Sequence, residues 1–245
     1  MKNERTLVQA TNLRKRHNSS AGDTLALDGV DLAINAGELV ALVGPTGSGK
    51  TTLLSLLAGL EETDEGTVSL LGEDLSTLSN DALTDLRSQA VGVIYQSYNL
   101  FPGFSVRENV GLPLRLMMRP PFDAHQRSGQ LLADLNLTEF AERFPPELSG
   151  GQQQLVAIAR ALATKPPLIL ADEPTANLDT TTARQIMAQL RTLAESGDHG
   201  VLLATHDLRM ASQADRVLTL RDGKIVKETA LQSGRSTRDV IAELA

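Results

Sequence analysis

The 245-residue sequence contains no cysteine and no tryptophan. The lack of cysteine excludes disulfide bonds, zinc–thiolate sites and thiol nucleophiles together, and it agrees with a reducing compartment. Aromatic residues make up only 3% of the chain, so a core must be built mainly from Leu, Val, Ile and Ala. Such a composition is common where strands are covered by helices on both faces.

Long apolar runs and an excess of positive charge are missing as well. No uncharged apolar stretch approaches the length of about 18 residues that a membrane-spanning helix needs, so we expect any membrane role to depend on a separate partner chain. Residues 1–6 also lack the apolar core of a secretory signal. The net charge of −7 argues against binding to the nucleic-acid backbone, and we expect no nucleic-acid partner.

The sequence does contain a phosphate-binding pattern, G-x-x-x-x-G-K-[ST]. It lies between an apolar run at 39–43 and a helix-prone segment at 52–57, as a loop that cradles phosphates with backbone N–H groups requires. Lys50 is expected to reach the β and γ phosphates of a nucleoside triphosphate, and Thr51 to offer a hydroxyl to Mg²⁺. The alternative is a glycine-rich turn that precedes a lysine by chance. The predicted nucleotide-binding residues here are Gly44, Pro45, Thr46, Gly47, Ser48, Gly49, Lys50, Thr51 and Thr52.

Polar side chains follow three apolar runs that are typical of buried strands. Asp172 is placed to hold Mg²⁺, and Glu173 to accept a proton from the water that attacks the γ phosphate. Gln96 ends another strand, and its amide is a candidate contact for the metal or that water. His206 is expected at the same sheet edge as Glu173, although a histidine there is more often structural when it stands alone. An ordinary acidic loop is the alternative for Asp172 and Glu173.

A second anion-binding device is predicted where Ser149, Gly150, Gly151 and Gln152 precede a helix. A serine hydroxyl and free N–H groups at a helix start bind anions. The alternative is a simple helix cap, which would need only the serine. The double glycine indicates close approach of a bulky group.

The spacing of apolar residues predicts the remaining elements. Antiparallel strands are expected at 7–13 and 26–34, a strand pair around 67–71, and a hairpin at 217–226. Buried strands at 168–171 and 201–204 flank a helix at 181–195, which predicts a parallel sheet. From residue 97 to about residue 163, prolines such as Pro113 interrupt helical segments, including 124–135 and 151–162. We therefore expect a helical lobe at about 97–163, inserted into a core lobe formed by about 1–96 and 164–245.

These motifs, taken in order, resemble those of the ATP-binding cassette ATPases of ABC transporters. They are GPTGSGKT at 44–51, Gln96, LSGGQQQ at 148–154, LILADEPTANLD at 168–179 and THD at 205–207. Residues 91–114 are most similar to the bacterial macrolide-export and lipoprotein-release group. The resemblance covers nearly the whole chain. It implies an α/β fold, namely a P-loop NTPase (RecA-like) core with an antiparallel β subdomain and an inserted α-helical subdomain.

The resemblance also implies a mechanism of pairing. Two copies would bind head to tail, each holding ATP between its phosphate loop and Ser149–Gln152 of the other copy. Asp179 would connect the two sites, His206 would contact the γ phosphate, and Gln96 would link the site to the helical lobe. A groove near Gln96 would receive a membrane permease. Candidate groove residues are Tyr98, Leu100, Phe101 and Phe104, for each of which plain core packing is the alternative.

Two positions depart from the family pattern. The aromatic residue that normally stacks on adenine is replaced by His17, whose smaller ring should hold the base less strongly. Leu155 stands directly after three glutamines, where the group normally has arginine. Weaker dimer contacts and weaker lobe contacts are two hypotheses for the effect of that change.

The resulting hypothesis is an ATPase subunit at the cytoplasmic face of the inner membrane that drives a separate permease. The alternative is a cassette that acts on a membrane partner to regulate an extracytoplasmic process without moving a substrate. Ribosome- or DNA-directed cassettes are disfavoured because they normally carry two cassettes or a long coiled-coil insertion. A GTPase is disfavoured because the chain has no Asn-Lys-x-Asp motif.

Overall fold

The computed structural model describes residues 5–19, 22–231 and 240–242. Within these ranges it contains ten strands and seven α-helices. In chain order they are β1 (Thr6–Ser19), β2 (Gly22–Asn35), β3 (Leu39–Val43), α1 (Lys50–Leu57), β4 (Glu65–Leu70), β5 (Glu73–Asp74), α2 (Asn80–Ala90), β6 (Val91–Ile94), α3 (Val106–Leu116), α4 (Ala124–Asp134), α5 (Gly150–Ala161), β7 (Leu168–Asp172), α6 (Thr180–Glu195), β8 (Gly200–Thr205), α7 (Leu208–Ala211), β9 (Arg216–Arg221) and β10 (Lys224–Ala230).

The central sheet has the order β10-β9-β3-β8-β7-β6. Every neighbouring pair in it is parallel except β9 and β10, which form the predicted hairpin. All five residues of β3 are buried, because both faces of the sheet are covered. The parallel arrangement brings the carboxyl ends of β3, β7 and β8 to one edge, where loops with functional side chains begin.

Alternate residues of the central strands face two separate cores. Leu39, Ala41 and Val43 join the core that includes α3, α5 and α6. Val40 and Leu42 join the other core, which includes α1 and the antiparallel sheet. The period of two along each strand therefore divides the apolar residues between helices on one side and helix plus sheet on the other.

The second sheet has the order β2-β1-β4-β5 and is antiparallel. Its first two strands extend beyond the predicted 7–13 and 26–34. The extension of β1 carries charged residues that pair across the sheet, as Arg14 does with Asp28 at 3.5 Å. Because these positions do not alternate apolar and polar residues, hydrophobic periodicity did not predict them.

Residues 97–163, our proposed helical lobe, contain α3, α4 and α5 between β6 and β7. The prediction that Pro113 breaks a helix is wrong, since Pro113 lies inside α3. That helix begins with a full capping box between Ser105 and Glu108, and its apolar residues Val110 and Leu114 are buried. Capping and packing offset the one backbone hydrogen bond that proline cannot donate.

The predicted α/β architecture, with a parallel core, an antiparallel sheet and inserted helices, is confirmed. Helix α2 was not predicted. Ala90 is its only buried residue, and Leu86 packs partly buried against the core that includes α1. Among the described residues, no helix combines the length and the apolar composition that crossing a bilayer demands.

Candidate functional site

The phosphate loop joins the end of β3 to the start of α1. Gly47 and Gly49 adopt φ values of 81° and 106°, in the left-handed region that favours glycine. A Cβ on Gly49 would lie 2.4 Å from the carbonyl oxygen of Ala26, so the loop packs closely on β2. No side chain of the described residues caps α1, and its first N–H groups are left for another acceptor.

Two polar side chains of this loop turn inward. The Lys50 ammonium is buried and donates hydrogen bonds to the carbonyl oxygens of Gly44, at 2.8 Å, and Pro45, at 3.1 Å. The buried Ser48 hydroxyl has no hydrogen-bond partner among the described residues. Buried polar groups are normally paired, so these observations fit a loop whose natural partner is an anion such as a polyphosphate.

Asp172 ends β7 beside the phosphate loop. The Thr51 hydroxyl donates a hydrogen bond of 2.8 Å to its carboxylate. Burial raises the pKa of Asp172, the Thr51 hydrogen bond lowers it, and the neighbouring Glu173 raises it again. Because burial disfavours the ionised form of Asp172, a cation bound beside the carboxylate would stabilise that form.

The oxygens of Thr51 and Asp172 fit Mg²⁺. Mg²⁺ at phosphate sites is usually bound through one or two protein oxygens together with substrate phosphates. In the described part of the chain no group of three or more His, Asp or Glu side chains could hold a metal by itself. Two protein oxygens beside a phosphate loop therefore match a site in which the protein and the substrate phosphates both bind the ion. There the ion would neutralise phosphate charge.

Glu173 and His206 face each other at the ends of β7 and β8. Glu173 has a φ of 47°, which is uncommon for a residue with a side chain, and its N–H donates to the carbonyl oxygen of Ala204 at 2.9 Å. Nδ1 of His206 lies 3.0 and 2.9 Å from the two carboxylate oxygens of Glu173. The imidazole thus orients a carboxylate that is able to take a proton from water.

Ser149 caps α5 in a capping box with Gln152. The Ser149 hydroxyl accepts from the N–H of Gln152 at 3.3 Å, and the Gln152 side chain accepts from the N–H of Ser149 at 2.9 Å. A Cβ on Gly150 would lie 2.9 Å from the Tyr98 hydroxyl, and one on Gly151 would lie 2.7 Å from Cγ2 of Thr182. The bulky neighbours that the double glycine indicated are therefore present within the chain itself.

Asp179 caps α6 and accepts hydrogen bonds from the Thr181 N–H and from both the N–H and the hydroxyl of Thr182. The hydrogen bond from the Thr182 hydroxyl, more than any other interaction, lowers the pKa of Asp179. Because the ionised Asp179 carboxylate accepts three hydrogen bonds, its orientation at the start of α6 is fixed. Since Thr182 also packs on Gly151, it joins Asp179 to the start of α5.

The two remaining predicted residues lie at the rim. Gln96 is exposed, and its backbone carbonyl accepts a hydrogen bond of 3.4 Å from Asn177. Nε2 of His17 lies 3.1 Å from the Thr52 hydroxyl, so the imidazole sits beside the first turn of α1. His17 therefore lies beside the helix that follows the phosphate loop, whereas the side chain of Gln96 has no polar partner among the described residues.

Comparison with known proteins now decides the family. Residues 27–176 match the family described as ABC transporter, which is more than half of the chain. The chain belongs to this family. It is one of the family's ATP-hydrolysing cassettes, so the predicted identification from the five motifs is confirmed.

Two curated relatives cover most of the cassette. The macrolide export ATP-binding/permease protein MacB of Nitrosomonas europaea is 44% identical over 224 residues, which is 91% of this chain and 34% of that protein. The lipoprotein-releasing system ATP-binding protein LolD of Pseudomonas fluorescens is 43% identical over 223 residues, which is 91% of this chain and 98% of LolD. The chain thus spans about a third of the MacB relative and nearly all of the LolD relative.

A solved structure supports the same assignment. It is a dimeric ATP-binding cassette in a post-hydrolysis state with ADP and Pi, and it is similar to this chain with a TM-score of 0.85 and 38% identity. The likeness covers 93% of this chain and 100% of that one. The P-loop NTPase fold of the cassette is therefore confirmed.

The structure brings some of the predicted residues together and leaves others apart. The phosphate loop, Asp172, Glu173 and His206 meet at the carboxyl ends of neighbouring strands. The signature residues 149–152 contact Tyr98 and Thr182 instead, and no hydrogen bond among the described residues joins them to the phosphate loop. Within one copy, the phosphate loop and residues 149–152 are therefore not joined by a hydrogen bond.

Several residues that shape the site were not predicted. Arg160 on α5 donates to the carbonyl oxygens of Tyr98, at 2.8 Å, and of Asn99. The fully buried Asn109 amide bonds to the backbone of Phe101 and Phe104 and so fixes the loop that follows β6. A polar residue on the apolar face of an amphipathic helix, such as Asn109, is a sequence signal for a buried hydrogen-bond network. It does not identify the partners, which are separated in sequence or lie in a loop.

The family departure at Leu155 coincides with a cavity. Leu155 lines a space of about 360 Å³ between α5, α6 and the turn after α4. Leu137 and Phe140 supply apolar walls, and Gln152 and Gln185 supply amides. A longer side chain at position 155 would occupy part of this space.

Asp172 gives the first prediction. Because its pKa is raised in the folded chain, the protonated form contributes stability below about pH 3.8, the ordinary value, and this contribution is lost as the pH rises through the folded pKa. At pH 7 the buried ionised carboxylate lowers the free energy of unfolding. Asp172→Asn should therefore raise the melting temperature of the nucleotide-free protein by roughly 1–3 °C, as a change below about 1 kcal/mol does in a domain of this length.

Differential scanning fluorimetry at pH 7 and pH 4 measures this effect. The gain should shrink at pH 4, because the wild-type carboxyl is then partly protonated. The same variant should lose the extra stabilisation that Mg²⁺ adds to ATP, since one of the two metal oxygens is neutralised. Glu61→Gln, which changes an exposed carboxylate beyond the C-terminus of α1, is the matched control. A lower melting temperature at pH 7 would contradict the assigned burial cost.

Proposed function

We propose that two copies of this cassette close on ATP and drive a separate membrane permease of the export or lipoprotein-release type. The observation that carries the pairing is the likeness to the dimeric cassette with ADP and Pi, which extends over 93% of the chain. The separation of the phosphate loop from the signature within one copy supports it. Each ATP would lie between the phosphate loop of one copy and Ser149–Gln152 of the other.

In the proposed reaction water attacks the γ phosphate of ATP and gives ADP and inorganic phosphate. Glu173 takes the proton from the water, and His206 holds the Glu173 carboxylate at 2.9 Å. Lys50 donates to the phosphate oxygens in place of its two loop carbonyls. Thr51 and Asp172 would hold Mg²⁺, which neutralises phosphate charge when it is bound.

Loss of the γ phosphate removes an anion on which both copies close. The Ser149 hydroxyl and the first N–H groups of α5 then have no shared ligand with the phosphate loop opposite. Because ATP binds the closed pair more tightly than ADP does, hydrolysis shifts the equilibrium toward open copies. Opening and closing is the motion that we propose reaches the permease.

The proposed permease contact is the loop after β6. Phe101 and Phe104 are 50% and 39% exposed, and their ring centroids are 5.5 Å apart. Two neighbouring exposed aromatic rings on a loop are a suitable surface for a short apolar segment of another protein. The likeness to LolD, the ATP-binding protein of a lipoprotein-releasing system, supports a cassette that acts with a membrane permease and is held through it at the cytoplasmic face of the inner membrane.

The second prediction tests the pairing. Ser149→Ala should lower ATP turnover at least tenfold and leave ATP affinity of the single copy nearly unchanged, because the hydroxyl serves the nucleotide of the other copy. ATP-dependent association is measured by light scattering, and affinity by titration with a fluorescent ATP analogue. The substitution also removes a helix cap, which costs about 1 kcal/mol.

Ser79→Ala is the control for that loss of stability. Ser79 caps α2 and accepts from the N–H of Ala82 at 3.3 Å, the same distance as in the Ser149 cap. It should lower the melting temperature without changing association. Ser149→Ala copies that associate and turn over ATP like the wild type would refute the proposed pairing.

The permease requires its own experiment. The tagged cassette is purified with its co-isolated permease from detergent-solubilised membranes of its own organism and reconstituted into liposomes. We expect ATP turnover to rise with the permease, and Phe101→Ala together with Phe104→Ala to abolish that rise. Movement of a lipid or solute that tracks turnover supports transport. Stimulated turnover with no movement would favour the regulatory alternative.

A further inference from the structure

Tyr98 connects the loop after β6 with the signature at the start of α5. A Cβ on Gly150 would lie 2.9 Å from the Tyr98 hydroxyl oxygen and 3.9 Å from Cζ of the same ring. The first distance is shorter than real Cβ contacts and the second is ordinary van der Waals contact. The hydroxyl of Tyr98, and not its ring, therefore leaves no room for a side chain at position 150.

The backbone of this tyrosine is held from the other end of the same helix. Arg160, near the C-terminus of α5, donates to the carbonyl oxygens of Tyr98 and Asn99. Both residues have positive φ, 61° and 48°, a conformation that residues with side chains rarely adopt. The guanidinium therefore stabilises a backbone conformation that would otherwise relax.

These contacts lay Tyr98 along α5. Gly150 and Arg160 are ten positions apart, about 15 Å along the helix. The Tyr98 carbonyl meets the end of the Arg160 side chain and its hydroxyl lies beside Gly150, so Tyr98 and Arg160 together span this length. Because an aromatic side chain has only two rotatable bonds, the position of the loop backbone determines where the hydroxyl lies.

We propose that Tyr98 is a positioning residue through which the loop after β6 sets the place of the signature. A displacement of this loop moves the Tyr98 hydroxyl along α5, and the start of α5 follows or loses its support. The inference rests on the proposed function, since the signature acts on the nucleotide of the other copy. Binding of the permease at Phe101 and Phe104 would thereby change the position of residues 149–152, which bind the nucleotide of the other copy.

The experiment is a rescue in the Glu173→Gln background, which keeps ATP uncleaved. Gly150→Ala should weaken ATP-dependent association about tenfold, because the new methyl group meets the Tyr98 hydroxyl. Adding Tyr98→Phe removes that oxygen and leaves the ring at an ordinary contact distance. The double variant should regain association to within about threefold of the parent, as measured by light scattering over a range of ATP concentrations.

Gly151→Ala is the matched control, because its new methyl group would meet Thr182 at 2.7 Å and not Tyr98. Tyr98→Phe should not rescue it. Rescue at both glycines, or at neither, would overturn the proposal. Melting temperatures of the ATP-free variants, which should show the same selective rescue, test the contact without pairing. A Glu173→Gln parent that stays monomeric with ATP would instead refute the proposed function.

Discussion

Glu173→Gln should lower ATP turnover by about 10²–10⁴-fold while ATP still binds, leaving a persistent ATP-bound pair. Glutamine keeps the shape of the side chain but cannot take a proton from water. The geometry makes this substitution conservative, because the Gln amide still reaches Nδ1 of His206, which lies 2.9 Å from the native carboxylate. Turnover is followed by phosphate release, and pairing by light scattering with ATP and with ADP.

Glu61→Gln, which neutralises an exposed carboxylate outside the site, is the control for the change in net charge. It should leave turnover and pairing as in the wild type. Glu173→Gln that hydrolyses ATP at the normal rate would remove Glu173 from the role of base. A variant that binds ATP but neither hydrolyses it nor pairs would contradict the proposed pairing of two copies.

The phosphate loop and the residues after β7 and β8 were predictable because their information is local. Eight consecutive residues define the loop, and Asp172 and Glu173 directly follow a buried apolar run. The rule that parallel strands bring their carboxyl ends to one edge then places these groups together. The observed hydrogen bond between Thr51 and Asp172, at 2.8 Å, joins residues 121 positions apart.

The contacts around Tyr98 could not be read in this way. Arg160 meets Tyr98 across 62 positions, and nothing in the residues near either one announces the other. The positive φ of Tyr98 is equally hidden, since tyrosine carries no signal for a left-handed backbone, whereas asparagine, as at Asn99, tolerates that conformation. Tertiary hydrogen bonds impose that conformation, so it appears only when α5 is packed beside the loop.

The structure also changes the meaning of the signature. A serine before two glycines was expected to bind an anion, with a simple helix cap as the alternative. The structure shows the cap in full, and it also shows that both glycines are required by neighbours within the chain. The same residues can therefore fix the start of α5 and present a hydroxyl to a second copy, because a capping hydroxyl accepts one hydrogen bond and keeps its own proton to donate.

Lys50→Ala should weaken ATP binding about 100-fold, because an ammonium that makes two charge-assisted hydrogen bonds to phosphate contributes roughly 3 kcal/mol. Titration with a fluorescent ATP analogue measures the affinity. Arg119→Ala, which removes one exposed positive charge from the helical lobe, is the control and should bind ATP normally. Unchanged affinity in Lys50→Ala would contradict the assignment of the phosphate loop.

The loss of ATP affinity in Lys50→Ala underestimates the attraction between Lys50 and the phosphates. The Lys50 ammonium donates hydrogen bonds to the carbonyl oxygens of Gly44 and Pro45 within the loop, at 2.8 and 3.1 Å. ATP must replace these two hydrogen bonds, so the affinity of the wild type reflects an exchange of partners. Alanine removes both the gain and the cost of that exchange. The loss in affinity is therefore a lower bound on the attraction between Lys50 and the phosphates.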